Sequence, residues 1–247
     1  SEVFRFVPRG GLAVLCGDDA LLRGFDPGIG KQTFGFAPDC DARAEFVIAD
    51  GTDSVSFDIA RGESRLRVRL NAYGSHLPSA AAAAALVAAN LGLSDGEIRR
   101  GLETYRAVEG RANIIKTDTL TIIDDCYNAN AASMTAALES LRVQRGRRVA
   151  VLGDMFELGE HSGDLHRAAG ALAAECCDLL ICCGRSAEFY FKGCTAADSG
   201  CGKYHFPFAD ALLERLPELV RPGDTVLVKA SHGMNFPVIV DKLKEIG

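Results

Sequence analysis

Apolar and polar positions follow two different rhythms along the chain, and the change falls near residue 107. Before it, short apolar stretches with a two-residue period dominate. Residues 11–16 form a continuous apolar run that reads as a buried strand, and residues 31–35 are a second candidate. Val55, Phe57 and Ile59 alternate with Ser56 and Asp58, and Leu66, Val68 and Leu70 alternate with arginines. These are two half-buried strands, with Gly62 placed for a hairpin turn between them. Residues 79–91 are alanine-rich and predict a helix ended by Gly92. The run Ala80 to Ala85 predicts a tightly packed helix face. Ser94 followed by Glu97 is a capping-box pair, opening a helix that runs to about Tyr105.

After residue 107, apolar strand-length runs alternate with helix-length amphipathic segments. Strands are predicted at residues 120–124, 148–152, 179–183, 203–206 and 225–229. Helices are predicted at 133–143, 162–175, 187–194, 209–220 and 236–246. Such alternation means a parallel sheet with helices on both faces. The fold class is therefore α/β, with residues 1–107 as one domain and 108–247 as a doubly wound parallel sheet. Ligands of that architecture sit beyond the strand C-termini.

Composition narrows the function classes. The 247 residues carry a net charge of -6 with no basic tract, which makes the chain a poor candidate for a nucleic-acid binder. No apolar run reaches the ~18–20 residues of a membrane span, and the N-terminus has no signal-peptide pattern. The chain opens at Ser1 rather than Met, which implies a processed or trimmed piece of something longer. Nine cysteines, an odd number, include the adjacent pairs Cys176-Cys177 and Cys182-Cys183. They read as free thiols of a reducing cytoplasm. A zinc site from these pairs is the rival reading, disfavoured because adjacent residues of a strand point to opposite faces.

Polar residues gather at three predicted strand ends. The first strand stops in Asp124 and Asp125, then Cys126, Tyr127, Asn128 and Asn130. A carboxylate there can accept ribose hydroxyls, and asparagine amides can bind an amide or a phosphate. A solvated turn with an asparagine helix cap explains the same residues. The second strand ends in Gly153 and Asp154, followed by Glu157, Glu160, His161, Asp164 and His166. A metal cluster is one reading. However, His161 and His166 are five apart and lie on different helix faces, so an acidic helix N-terminus accounts for them better. The third strand ends in Lys229, Ser231 and His232, which can hold an anion or simply be exposed. Gly24 to Thr33 looks like a phosphate loop but fails the test. Phe25 stands where the first glycine belongs, Gln32 stands where Ser or Thr belongs, and a strand rather than a helix follows.

Two strings carry a resemblance. Asp124-Asp-Cys-Tyr-Asn-Ala-Asn-Ala-Ala-Ser-Met134 and Val151-Leu-Gly-Asp-Met-Phe-Glu-Leu-Gly159 resemble the Mur ligases. They are most similar to the members that join D-Ala-D-Ala to UDP-MurNAc-tripeptide. Glu109-Gly-Arg111 and Gly74-Ser-His76 fit further family motifs. The resemblance covers nearly the whole chain. It implies that residues 1–107 are the C-terminal half of a central ATP-binding domain, and that 108–247 are the Rossmann-like C-terminal ligase domain. It implies an ATP- and Mg²⁺-dependent amide ligase of cell-wall peptidoglycan synthesis, cytoplasmic and monomeric, working through an acyl phosphate. On the same basis His76, Arg111, Asp125, Tyr127 and Asn128 are nucleotide-binding, and Asn130, Ser133, Asp154, Lys229 and Ser231 are substrate-binding. No metal ligand is assigned. The chain contains no G-T/S-x-G-K-T loop, which implies that it is inactive alone. It departs from the family pattern at Leu77 and Ala80, where asparagines are usual, and at Ala131, Ala230 and His232. Another amino-acid-adding or folylpolyglutamate-like ligase, or a non-catalytic nucleotide- or partner-binding module descended from one, remains open.

Overall fold

Phe57 and Val68 face each other across an antiparallel strand pair, and both are fully buried. They belong to the first of two compact units, Ser1–Arg106 and Ala107–Gly247, of the computed structural model. The structure describes residues 2–52 and 54–247.

The first unit contains β1 (Leu12–Cys16), α1 (Ala20–Gly24), β2 (Gly30–Gly35), β3 (Ala42–Asp50), β4 (Ser54–Arg61) and β5 (Ser64–Leu70). These strands form one sheet in sequence order. β1, β2 and β3 pair in parallel, whereas β3–β4 and β4–β5 are antiparallel. The two helices that follow are α2 (Leu77–Asn90) and α3 (Asp95–Glu103). α2 lays Leu77, Ala81, Ala82, Ala85 and Leu86 on the cluster around Phe57, Ile59 and Val68. Small side chains let the helix approach the large residues of the sheet closely. The alanine run is thus a packed face on one side only, since Ala84 is exposed. α3 opens with the Ser94–Glu97 capping box. The segment that imitates a phosphate loop ends α1 and then becomes β2. Its Lys31 ammonium is used locally, donating to the Arg23 and Phe25 carbonyls.

The second unit contains β6 (Asn113–Lys116), β7 (Thr121–Asp125), α4 (Ala131–Arg142), β8 (Arg148–Gly153), α5 (Ser162–Cys176), β9 (Leu179–Cys183) and α6 (Glu188–Ala196). It continues with β10 (Gly202–Phe206), α7 (Ala209–Leu219), β11 (Thr225–Lys229) and α8 (Pro237–Ile246). The sheet order is β10-β9-β8-β11-β7-β6. The first four pairings are parallel. The expectation of a wholly parallel sheet is corrected at one edge, where β6 runs antiparallel to β7. A tight turn joins them, with the Thr117 N–H donating to the Leu120 carbonyl. β6 is only four residues long and none of them is fully buried, so it lacks the apolar run of its neighbours.

Strand alternation divides the core. Val149, Val151, Ile181, Val226 and Val228 pack against Leu212, Leu216, Ile239 and Leu243 of α7 and α8. The intervening residues, among them Ile123, Leu152, Leu180 and Leu227, are equally buried. On that face α4 packs on β8 and β11, and α6 packs on β9. Cys182 and Cys183 therefore point into opposite buried layers, while Cys176 ends α5 and Cys177 follows it. All nine cysteines are free thiols. Among the described residues no helix is long and apolar enough to cross a membrane.

Candidate functional site

β11 lies between β7 and β8, and its register sets Lys229 beside Asp125 on one side and Leu152 on the other. The three polar strand ends of the sequence thus meet at one end of the sheet. Parallel pairing makes this unavoidable, because all three C-termini point the same way.

Asp124 and Asp125 share a strand and so point oppositely. Asp124 is buried, and its carboxylate accepts the Gly110 N–H at 2.8 Å and the Cys126 thiol at 3.0 Å. Burial, with Asp124 alongside, pushes the Cys126 thiol far above the ordinary thiol range. Asp125 is partly open. Its Oδ1 accepts the Ala112 N–H at 3.1 Å, and its Oδ2 takes the Lys229 ammonium at 2.7 Å. Lys229 was expected to face the ligand, but it is 2% exposed and gives a second bond to the Asn128 carbonyl at 3.0 Å. A lysine so deep survives because its charge is paired and two of its N–H groups are hydrogen-bonded.

Tyr127 and Asn128 are exposed where β7 gives way to the loop. The Arg111 guanidinium lies over the Tyr127 ring, 4.1 Å from its centroid. The His232 ring approaches the same tyrosine at 5.5 Å. Gly110 makes the arrangement possible. It holds φ at +75°, and a Cβ there would stand 3.3 Å from the Tyr127 backbone. Its own carbonyl accepts the Tyr127 N–H at 2.8 Å. Beside this stack is a cleft of about 140 Å³ lined by Gly110, Asp124, Tyr127, His232, Val240 and Lys244, among others. A hydrogen bond to Asp241 raises the Lys244 ammonium above its ordinary value, and Glu109 and Asp124 add to the effect.

Asn130 caps α4. Its Oδ1 accepts the Ser133 N–H at 2.8 Å, and Ser133 Oγ accepts the Asn130 N–H at 3.1 Å. Ser133 is thus engaged in the reciprocal cap, while the exposed Asn130 keeps its amide NH₂ uncommitted to that cap.

Asp154 is buried and turned inward, its Oδ1 accepting the Ala187 N–H at 2.7 Å. Gly184, with φ at +132°, leaves room for that carboxylate, which a Cβ there would strike. The Asp154 carbonyl accepts the Ser231 N–H at 3.1 Å, and Ser231 Oγ accepts the Phe156 N–H at 2.9 Å. Ser231 Oγ also donates to the Ala129 carbonyl at 3.4 Å, so this buried serine ties the β11 end to both neighbouring strand ends.

The structure therefore brings Arg111, Asp125, Tyr127, Asn128, Asn130, Ser133, Asp154, Lys229 and Ser231 to one end of the second unit's sheet. His76 lies in the first unit, exposed at the N-terminus of α2 beside Gly74. There Leu77 is buried in the core and Ala80 is exposed. His166 and Tyr190 support the site although the sequence-derived set omits them. Tyr190 OH donates to the Gly153 carbonyl, and His166 Nε2 accepts the Met155 N–H. The buried positions His166, Ala169, Gly170 and Ala173 fall at helical spacing, which is the signal that marks His166 as inward-facing.

Residues 110–232 match the family described as Mur ligase, glutamate ligase domain. The chain is 32% identical to the UDP-N-acetylmuramoyl-tripeptide–D-alanyl-D-alanine ligase of Escherichia coli strain K12, covering all of this chain and 55% of that protein. It is 29% identical to the ligase of the same name from Bacillus subtilis strain 168, over 99% of this chain and 53% of the relative. A crystal structure of MurF from Acinetobacter baumannii superposes with a TM-score of 0.89 at 28% identity, covering 99% of this chain and 54% of that one. The chain spans about half the length of the relatives it matches. On these grounds the chain belongs to the Mur ligase family, as a close relative of its UDP-N-acetylmuramoyl-tripeptide–D-alanyl-D-alanine ligases.

Proposed function

We propose that these residues are part of an ATP-dependent ligase that adds D-Ala-D-Ala to UDP-MurNAc-tripeptide in the cytoplasm. In this reading residues 1–107 are the C-terminal half of the central ATP-binding domain. Residues 108–247 are the Rossmann-like C-terminal ligase domain. The observation that carries the reading is the convergence of Asp125, Asn130, Lys229 and Ser231 beside the Arg111–Tyr127 stack.

The reaction has two steps. The γ-phosphoryl group of ATP passes to the tripeptide carboxylate, giving an acyl phosphate. The dipeptide amine then attacks, and phosphate leaves. Such chemistry depends on positioning and on neutralising phosphate charge. Arg111 offers a planar fork of donors to phosphate oxygens while Tyr127 holds it from behind. Asp125 keeps acceptor capacity for ribose hydroxyls after bonding Ala112 and Lys229. The Asn130 amide faces the dipeptide, and buried Ser231 fixes the end of β11 beside it. Lys229, Ser133 and Asp154 act at one remove, each fixing a group that touches ligand. Mg²⁺ supplies charge neutralisation when it arrives with the nucleotide. Among the described residues no three His, Cys, Asp or Glu side chains converge as a cation site.

The test is calorimetric titration of D-Ala-D-Ala and, separately, MgATP into the 247-residue chain. Dipeptide binding that is lost in Lys229→Ala supports the reading. Binding of neither ligand favours the non-catalytic module instead, a reading to which buried Leu77 lends weight. Because the sequence holds no phosphate loop of the family type, these residues alone are expected to give no ligase turnover.

A further inference from the structure

His166 is completely buried, yet both of its ring nitrogens are engaged. Nε2 accepts the Met155 backbone N–H at 2.9 Å. Nδ1 lies 2.7 Å from the Ser162 carbonyl, which can only accept, and 3.4 Å from Ser162 Oγ. An N–H facing Nε2 and a carbonyl facing Nδ1 fix one neutral tautomer, with the proton on Nδ1. The Tyr190 ring packs 4.7 Å away, and its hydroxyl donates to the Gly153 carbonyl at 3.1 Å. His166 and Tyr190 therefore hold two peptide groups of the 153–156 loop from inside. From the ligand side the same loop is tied to Ser231, through the Asp154 carbonyl and the Phe156 N–H.

We infer that His166 is the positioning residue of the 153–156 loop, and that its protonation releases this loop from Ser231 and weakens ligand engagement at this end of the sheet. The ligand part rests on the ligase reading above, whereas the lock does not. A proton on Nε2 would aim one N–H at another, and two donors cannot bond. Met155 must then move, and Phe156 follows it along the chain. The groups facing the ring are the Asp154 carboxylate from the loop, Tyr190 from α6 and Ser162 from its own helix. Burial holds the imidazole below its ordinary value of 6.5, against the opposing pull of the Ser162 carbonyl and Asp154. The loop thus stays locked at neutral pH and opens in acid.

Amide hydrogen exchange, read residue by residue on the 247-residue chain, tests the lock. At neutral pH, His166→Leu is expected to speed exchange of the Met155 and Phe156 amides about tenfold, the scale of one lost hydrogen bond. His166→Gln places a non-titrating acceptor near the Nε2 position and is expected to restore protection at every pH. In the parent chain, protection of these two amides is expected to fall as the pH drops below 6.5. Should His166→Leu fail to fold, the parent pH series and His166→Gln still decide. Unchanged protection of both amides in acid, or a ring nitrogen spectrum showing the proton on Nε2 at neutral pH, overturns the lock. Titration of D-Ala-D-Ala at neutral and acid pH tests the ligand part. Affinity that weakens several-fold in acid for the parent chain but not for His166→Gln supports it. A working lock with no dipeptide binding at any pH overturns the ligase reading and leaves the lock standing.

Discussion

The Lys229 ammonium joins β11 to β7 across 104 residues of sequence by gripping the Asp125 carboxylate at 2.7 Å. The two partners are not equally placed, since Lys229 is 2% exposed at its side chain and Asp125 is 21% exposed. Removing either strands the other, and the cost depends on how well water reaches the survivor. Asp125→Ala leaves a buried ammonium holding one carbonyl and should destabilise the second unit by about 3 kcal/mol. Lys229→Met leaves a carboxylate that still touches water and an Ala112 N–H, so about 1–2 kcal/mol is expected. Urea unfolding of both variants checks the order. A larger loss for Lys229→Met would mean that the lysine's packing outweighs its charge.

Arg111 and Tyr127 form a contact of the opposite kind. Both are exposed, and a cation–π pair in water is worth about 0.5–1 kcal/mol. Tyr127→Ala should therefore change stability by less than about 1 kcal/mol. On the ligase reading it should weaken MgATP binding about tenfold, because Arg111 loses the surface that orients its fork. Arg111→Lys keeps the charge but not the planar face, and should weaken binding comparably. Calorimetry beside thermal melting separates the two effects. A stability loss matching the binding loss would show that the stack is merely structural.

The strand order of the second unit was not legible in the sequence, although its elements were. Strands buried on both faces read as unbroken apolar runs, which is why residues 179–183 and 225–229 coincide with β9 and β11. β6 escaped because Asn113–Lys116 is short, edge-bound and only half-buried, leaving no pattern to read. The three polar strand ends were visible as residues at the ends of apolar runs. Their meeting was not visible, since it depends on β11 inserting between β7 and β8. For the same reason Lys229 looked like a ligand contact, and only the neighbouring strand turns it into an anchor for Asp125. His166 looked like a metal candidate because its neighbours are acidic. The structure instead turns it inward, onto the loop after β8.

On the ligase reading Asn130 holds two roles that a single substitution confuses. Its side-chain oxygen caps α4 through the Ser133 N–H, while on the ligase reading its amide is the group offered to the dipeptide. Asn130→Ala removes both and should cost about 1 kcal/mol of stability along with binding. Asn130→Asp keeps a capping oxygen, and a carboxylate at a helix N-terminus is favoured by the helix dipole. It should therefore retain stability while losing the amide donor. Dipeptide affinity that falls in Asn130→Asp with an unchanged melting temperature would assign the amide to the ligand. Unchanged affinity would restrict Asn130 to capping.

Asp178 is held ionised by Arg148 and so makes part of the second unit's stability depend on pH. Its carboxylate accepts the Arg148 N–H at 2.8 Å and the Arg148 guanidinium at 3.0 and 2.9 Å, tying the start of β8 to the start of β9. The guanidinium hydrogen bonds hold its carboxyl below the ordinary 3.8. A folded-state value below the unfolded one means that stability is present in full above pH 3.8 and is lost as the pH falls through the folded value. The carboxylate side chain is 42% exposed, so solvent screens the pair and the contribution is about 0.5–1 kcal/mol. Asp95, lowered first by Ser64 and then by Arg61, acts in the same direction within the first unit. Asp178→Asn should lower the melting temperature at neutral pH by a few degrees. It should also flatten the fall in melting temperature as the pH drops below 3.8. An unaltered acid slope in Asp178→Asn would show that other carboxylates set that slope.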